Sequence, residues 1–109
     1  EPVHDQGVFQ FGEMWINFSS GKAKGCSDEF YLTAKEALLM KLLVSQQGKI
    51  VTREELLEKV WGYDPQTETR TVDNFVARLR KYFEKNPQSP KHIITHREKG
   101  YEFKSDPEK

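Results

Sequence analysis

The most constraining feature of the sequence is a helical repeat of apolar residues between Arg70 and Asn86. With successive residues placed about 100° apart, as in an α-helix, four apolar side chains fall within one narrow arc: Val72, Val76, Leu79 and Phe83. Phe75 and Tyr82 lie at the edge of that arc, and Pro87 prevents the helix from continuing. The sequence therefore predicts an amphipathic helix over Arg70–Asn86 that packs against a core by one side only.

The opposite side of this helix is polar and includes four cationic residues. Its members are Arg70, Thr71, Asn74, Ala77, Arg78, Lys81 and Lys85, with Glu84 near the margin and Asp73 and Arg80 on the flanks. Arg and Lys bind phosphates or guanine, Asn pairs with adenine, and small residues permit close approach, so this surface suits the major groove of duplex DNA. The alternative is a solvated outer face, although such faces usually mix Glu with Lys because residues four apart then form ion pairs.

Two more helices precede this one, and capping boxes mark where they begin. Each box has the Thr-x-x-Glu spacing that satisfies free backbone N–H groups: Thr33 with Glu36, and Thr52 with Glu55. The first helix is expected to end near Gln47–Gly48 and the second at Gly62, because glycine favours helix termination. Ile50 and Val51, which lie between the two helices, predict a brief extended link.

Short segments rich in aromatic or β-branched residues flank the three helices. Three of them come first: Phe9–Gly12, Met14–Phe18 and Glu29–Leu32. Together with Lys22–Gly25, a poorer strand candidate that lacks such residues, they predict a small antiparallel sheet of four strands. Two come last and predict a β-hairpin: Ile93–His96 and Tyr101–Phe103. This order predicts an α+β winged helix-turn-helix over residues 8–104, with a four-stranded N-terminal sheet, three helices and a C-terminal hairpin wing. Residues 1–7 are interpreted as a linker and residues 105–109 as a tail.

The charges of the chain are distributed unevenly, although its formal net charge is zero. Residues 70–104 contain nine Lys and Arg against four Asp and Glu, a local net charge of +5. Residues 1–69 contain seven against eleven, a local net charge of −4. Because the local field governs the approach of a polyanion, a neutral chain with a cationic C-terminal third remains compatible with DNA binding.

The hairpin tip provides a second cationic surface. Arg97 and Lys99 lie in the tight connection, where Gly100 can adopt a positive φ. A cationic tip of this kind contacts phosphates or a narrow minor groove, or it is simply a turn that stays polar for solubility. Trp61 and Tyr101 also allow two interpretations, because their rings suit core packing while their N–H and O–H groups suit phosphate contacts.

Several classes of function are disfavoured by the sequence. There is no nucleophile elbow, glycine-rich phosphate loop or zinc-protease motif, so the chain is not expected to be an enzyme or to need a cofactor. Cys26 lacks a disulfide partner, and His4, His92 and His96 lack metal-ligand spacing, so no metal site is expected. No apolar run is long enough for a membrane span and no secretory signal opens the sequence, so a cytoplasmic location is expected.

Six motifs, in their order and spacing, resemble the C-terminal effector domain of OmpR/PhoB-type response regulators. They cover Leu32–Leu39, Val51–Leu56, Val60–Gly62, Arg70–Asp73, Leu79–Lys81 and Gly100–Phe103. The resemblance extends over about residues 8–104 and implies sequence-specific DNA binding for transcriptional control in a two-component system. The sequence departs from the family pattern at two positions: Glu98 replaces a glycine of the usual wing motif, and Asn74 stands where a small apolar residue is frequent.

The resemblance implies a role for each candidate site residue. Arg70, Thr71, Arg80 and Thr95 match phosphate-contacting positions, and Trp61 matches a residue near phosphate. Asn74 and Arg78 match base-reading positions, and Arg97 matches the arginine of the minor groove. With Lys81 on the helix and Lys99 in the wing, which the residue pattern itself suggests, these form the predicted DNA-binding set.

The resemblance also implies partners outside this chain. Family members usually bind direct repeats as two copies, and some of them contact RNA polymerase through the loop matching Gly62–Thr69. They are also linked to a receiver domain with a phosphorylated aspartate, which is not expected within these 109 residues. The isolated effector is expected to be a monomer. The alternative function is a winged-helix protein-interaction module, motivated by net neutrality, Glu84 and Glu98. RNA binding is less favoured, because no exposed aromatic run offers a stacking platform.

Overall fold

The computed structural model describes residues 8–26, 28–64, 66–67 and 69–105. The predicted linker over residues 1–7, His4 within it, and all of the predicted tail except Ser105 lie outside the described residues. In the described part, the chain forms an N-terminal sheet, three helices and a C-terminal hairpin, in the predicted order.

The N-terminal sheet is an antiparallel meander of four short strands, as predicted. The strands are β1 (Val8–Phe11), β2 (Met14–Asn17), β3 (Lys22–Lys24) and β4 (Glu29–Tyr31). Their register aligns Phe9 with Ile16, Ile16 with Ala23, and Ala23 with Phe30. Since alternate residues of a strand share a face, this row directs Phe9, Ile16 and Ala23 into the core, where all three are buried.

Helix α1 (Ala34–Ser45) confirms the first capping box. The Thr33 hydroxyl accepts the Glu36 backbone N–H at 3.2 Å, and the Glu36 carboxylate accepts the Thr33 backbone N–H at 2.9 Å. The helix buries Leu39, Met40, Leu43 and Val44. Two free N–H groups at the start of the helix are thus satisfied reciprocally, which fixes where α1 begins.

Helix α2 (Arg53–Leu56) begins at its predicted cap and continues as a π-helical turn (Leu57–Trp61). The Thr52 hydroxyl accepts the Glu55 N–H at 3.1 Å. Gly62 ends the π-helical turn in a left-handed conformation, with a φ of +71°, as the sequence predicted. The sequence predicted only a brief extended link before this helix. In the structure, Val51–Thr52 forms a strand, β5, that pairs with the C-terminal hairpin.

Helix α3 (Thr71–Phe83) buries the predicted arc of Val72, Val76, Leu79 and Phe83. It is shorter than the predicted span Arg70–Asn86, which is wrong at its C-terminal end. Glu84 adopts an extended backbone, and its side chain is only 4% exposed. The helix ends there because the Glu84 carboxylate accepts the backbone N–H groups of Lys91, His92 and Ile93 at 2.8–2.9 Å. Glu84 is therefore not at the margin of the cationic face, and Lys85 lies beyond the helix.

The C-terminal hairpin consists of β6 (Ile93–His96) and β7 (Gly100–Phe103). β7 is the central strand of a three-stranded sheet in the order β5-β7-β6. Aromatic rings from both sheets and from α3 meet in one core. The ring centroid of Phe11 lies 5.2 Å from that of Phe103 and 5.6 Å from that of Phe83. The hairpin and α3 are thus held against the same buried cluster, which fixes their relative position.

Candidate nucleic-acid interface

The side of α3 opposite the core is exposed, as its residue pattern predicts. Asn74, Ala77, Arg78 and Lys81 are exposed, Thr71 is half-buried, and Arg70 is exposed at the N-cap position. The Thr71 hydroxyl and backbone N–H both contact the Thr69 hydroxyl, at 2.8 Å and 3.3 Å, so the first turn is anchored to the preceding loop. We refer to the exposed surface formed by these six residues of α3 and its N-cap as the α3 polar face.

Arg78 is held against an aromatic ring on this face. Its guanidinium carbon lies 4.4 Å from the ring centroid of Phe75, within the range of a cation–π contact. The Phe75 ring in turn meets the half-buried Trp61 edge to face, with centroids 4.9 Å apart. Trp61, Phe75 and Arg78 thus form a continuous stack that joins the end of the π-helical turn to the middle of α3.

Arg80 connects α3 to the hairpin. Its Nε and Nη2 atoms donate to the Ile93 carbonyl at 3.1 and 2.8 Å, and Nη2 also contacts the Thr95 hydroxyl at 2.5 Å. Thr95 is exposed, whereas Arg80 is half-buried. Arg80 and Thr95, which the sequence analysis predicted as two phosphate-contacting residues, are therefore adjacent and linked within the protein.

The tip between β6 and β7, here called the wing, presents three charged residues to solvent. Arg97, Glu98 and Lys99 are all exposed, and the Lys99 N–H donates to the His96 carbonyl at 2.8 Å to close the turn. Glu98 has a φ of +64°, a left-handed conformation that disfavours side chains with a Cβ. This is the position at which the resemblance places a glycine, so the glutamate is accommodated at a backbone cost.

Gly100 is required by close packing between β7 and β5. A Cβ added there would lie 2.1 Å from the Val51 carbonyl oxygen, which no relaxed structure allows. The backbones of these two strands approach each other closely at this point, and the base of the wing is fixed by that approach.

A network of three side chains ties the start of α3 to α2 and β7. Arg53 donates from Nη2 and Nε to the Asp73 carboxylate at 2.8 and 3.1 Å, and Tyr101 donates its hydroxyl to the same carboxylate. Arg53 also donates to the Thr69 carbonyl at 3.3 Å. The Tyr101 hydroxyl is therefore engaged inside the protein, and its ring is buried, in agreement with core packing.

The pKa values of this network follow from its contacts. Burial raises the pKa of Tyr101 to about 12, together with the hydrogen bond to Asp73 and the negative charge of that carboxylate. Burial acts to raise the pKa of Asp73 as well, but the hydrogen bonds from Tyr101 and Arg53 and the positive charge of Arg53 outweigh it and lower that pKa. Asp73 is thus anionic and Tyr101 neutral at physiological pH.

The carboxylates of residues 70–104 are largely occupied by internal partners. Asp73 binds Arg53, Glu84 accepts three backbone N–H groups, and Glu102 binds His96 Nε2 at 2.7 Å. Glu98 at the wing tip is exposed instead. Cations dominate the surface of α3 and the wing because three of the four negative charges in this part of the sequence are directed inward or paired.

Other candidate chemistry is not assembled in the described part of the chain. There, no group of three or more His, Cys, Asp or Glu side chains is placed to hold a metal ion. Burial, followed by the negative charge of Glu84, raises the pKa of the Cys26 thiol, which disfavours the reactive thiolate. None of the helices within the described ranges is long and apolar enough to cross a membrane.

Residues 27–103 match the family model described as "Transcriptional regulatory protein, C terminal". The chain belongs to this family. A relative named as a probable transcriptional regulator, ycf27 of Galdieria sulphuraria, is 35% identical over 101 residues, which cover 91% of this chain and 40% of the relative. The chain therefore spans about two-fifths of the length of such curated relatives. Members of this family regulate transcription, so the domain is a regulatory module and not an enzyme.

Solved structures place this C-terminal domain in the OmpR/PhoB group. The RstA DNA-binding domain of Klebsiella pneumoniae, crystallised in complex with the RstA box, superposes with a TM-score of 0.79 at 27% identity, covering 91% of this chain and 98% of that one. DrrB of Thermotoga maritima, described as an OmpR/PhoB homologue, superposes with a TM-score of 0.77 at 33% identity, covering 89% of this chain and 44% of that one. The winged helix-turn-helix predicted from the sequence is confirmed.

Sequence reasoning did not identify Arg53, Asp73 and Tyr101 as one network, nor the anchoring of Arg78 by its neighbours. The three network residues come from α2, α3 and β7, and only the tertiary fold brings them together. The Thr-x-x-Glu pattern identified Glu36 as a cap, but it carries no signal for the contacts that the Glu36 carboxylate also makes with Arg78 and Tyr82 of α3.

Proposed function

We propose that this domain binds duplex DNA sequence-specifically to regulate transcription, with α3 in the major groove and the wing on the backbone and adjacent minor groove. The observation that carries this proposal is the α3 polar face, which lies opposite the buried arc and contains exposed Asn74, Arg78 and Lys81. The major groove is wide enough to admit an α-helix, and these side chains can form hydrogen bonds with the donors and acceptors that the base edges display there.

The proposed roles separate positioning from base reading. Asn74, in the first turn of α3, and Arg78, in its middle, are assigned to bases. The positioning set contacts phosphates and comprises Trp61, Arg70, Thr71, Arg80, Lys81 and Thr95. Arg97 and Lys99 at the wing tip are assigned to the minor groove and the backbone, where negative potential attracts cations. The hydrogen bonds from Arg80 to Ile93 and Thr95 support this division, because they keep the wing at a fixed distance from α3 before DNA binds.

The experiment that tests this assignment starts from a duplex selected out of a random pool by the wild-type domain. Arg78→Ala is expected to reduce discrimination at one base pair by about 1–3 kcal/mol while binding to scrambled duplex changes little. Lys41→Ala is the matched control, because Lys41 is an exposed cation on α1, away from α3 and the wing. If Arg78→Ala weakened all sequences equally, Arg78 would be reassigned to phosphate.

The alternative function, a protein-interaction module that does not bind DNA, has lost one of its arguments. Glu84 motivated the interaction module as an exposed acid, but Glu84 is buried, and its carboxylate accepts three backbone N–H groups. Glu98 still places one negative charge at the wing. A gel shift against random duplex at low salt separates the two functions, since complete absence of binding would favour the module.

Further partners belong to this proposal through family membership. We expect two copies to bind direct repeats, the loop Gly62–Thr69 to contact RNA polymerase, and a receiver domain to be linked to this domain in the full-length protein. The isolated domain is expected to be a monomer that binds a single half-site. Sedimentation velocity of the domain with duplexes of one and two half-sites tests the stoichiometry, and a complex of two copies on a single half-site would contradict it.

A further inference from the structure

We infer that Glu36 of α1 is a positioning residue for Arg78 and thereby helps to determine which base pair the domain prefers. This inference rests on the proposed function, in which Arg78 reads a base. It assigns a role in recognition to a residue that lies on a different helix and is only 2% exposed.

The two carboxylate oxygens of Glu36 have different partners. Oε1 accepts the Thr33 backbone N–H at 2.9 Å, which completes the capping box of α1. Oε2 faces α3, where the Tyr82 hydroxyl donates to it at 3.3 Å and Arg78 Nη1 lies 3.7 Å away. One oxygen therefore serves the local helix start, and the other joins α1 to the polar side of α3.

Helix capping alone does not require the charge of Glu36. A capping box works with Glu or Gln at this position, since only one oxygen acceptor is needed. A buried carboxylate is costly unless other groups compensate its charge. Here Tyr82 supplies one hydrogen bond, and Arg78 supplies the opposite charge. The negative charge of Glu36 thus acts toward α3.

Arg78 is restrained by two neighbours while part of it remains accessible. The Phe75 ring lies 4.4 Å from the guanidinium carbon, and Glu36 attracts the Nη1 edge of the same group. The Arg78 side chain is nevertheless 53% exposed, so the rest of its planar fork faces solvent. An arginine held in this way before binding loses less rotamer freedom when it pairs with a base. Such preorganisation favours the one base whose edge fits the fixed fork.

The test compares Glu36→Gln with Thr33→Ala. Glu36→Gln keeps an oxygen acceptor for the cap and removes the charge that faces Arg78. Thr33→Ala weakens the same capping box from its other side and leaves the Glu36 carboxylate in place. Two readouts are taken: the 15N–1H heteronuclear NOE of Arg78 Nε in the free protein, and discrimination between the selected duplex and one changed at the base pair that depends on Arg78.

In Glu36→Gln we expect a lower Arg78 NOE and a loss of discrimination of about threefold or more, as for residues in direct contact. Thr33→Ala is expected to leave both readouts at wild-type values. In an Arg78→Ala background, Glu36→Gln is expected to cause no further loss, because Glu36 acts through Arg78. Wild-type discrimination in Glu36→Gln, or an effect that persists without Arg78, would overturn the inference.

The two readouts also distinguish this inference from the proposed function. If the wild-type domain shows no sequence preference, the proposed function fails and the inference fails with it. If the wild-type domain discriminates but the Arg78 NOE is the same in Glu36→Gln as in the wild type, the inference alone is overturned.

Discussion

The carboxylate of Glu84 closes the junction between α3 and the hairpin, and its removal has a calculable cost. Oε1 accepts the Lys91 N–H at 2.9 Å, and Oε2 accepts the His92 and Ile93 N–H groups at 2.9 and 2.8 Å. Glu84→Gln is the smallest change that disturbs this arrangement. The amide has a single oxygen, so at least one of the three donors is left facing an NH₂ group.

Two losses determine the magnitude of this effect. The donor left over is the Lys91 N–H if the amide oxygen takes the place of Oε2, and a partly buried N–H without a partner costs about 1–3 kcal/mol. The remaining bonds become neutral, and hydrogen bonds to a charged acceptor are roughly twice as strong as neutral ones. Together these predict that Glu84→Gln lowers the free energy of unfolding by about 2–4 kcal/mol.

Urea unfolding followed by circular dichroism measures this difference directly. Glu54→Gln is the matched control, because Glu54 is an exposed acid in the first turn of α2, where loss of the charge costs at most about 1 kcal/mol. If Glu84→Gln were no more destabilising than Glu54→Gln, the Glu84 carboxylate would not be what ends α3 and holds the start of β6.

Three further predictions concern the wing and the network at the start of α3. Glu98→Gly should raise the free energy of unfolding by about 0.5–1 kcal/mol, because relief of the left-handed backbone exceeds the added entropy of the unfolded chain, whereas Glu98→Gln should give no gain in the same urea experiment. Since the pKa of Asp73 is lowered in the folded state, its stabilising contribution is present above about pH 4 and is lost as the pH falls below that. The stability difference between wild type and Asp73→Asn should therefore shrink in acid, and a difference that stayed constant from pH 7 to pH 3 would disprove this. Gly100→Ala should lower the melting temperature more than Gly62→Ala, because both strain the backbone but only the first collides with Val51; equal losses would contradict the packing of β5 on β7.

Local signals account for the parts of the fold that the sequence predicts well. The reciprocal box Thr33–Glu36 and the single hydrogen bond from the Glu55 N–H to the Thr52 hydroxyl fix two helix starts, because donor and acceptor lie within four residues of each other. The buried arc of α3 follows from helical periodicity alone. These contacts depend on neighbours in the chain, so a pattern in the sequence is sufficient to specify them.

The features that the sequence did not predict depend on residues far apart in the chain. In the helical pattern of α3, Glu84 falls near the polar side and therefore looks like one more exposed residue of the helix. Its burial is explained only by the backbone of Lys91–Ile93, which folds back beside it. β5 is two residues long and exists because β7 passes beside it. Within the candidate site, the exposure of Arg78 follows from periodicity, but its contact with Glu36 spans two helices and leaves no pattern in the sequence.

The measurement that tests the central claim most directly is a fluorescence anisotropy titration of the wild-type domain with the selected duplex and with a scrambled duplex, over a range of salt concentrations. The selected duplex should bind more tightly at every salt concentration. Log affinity should fall with log salt at a slope of roughly −5, as expected for about six phosphate contacts. Equal affinity for both duplexes, or binding that salt does not weaken, would contradict sequence-specific recognition by α3 and the wing.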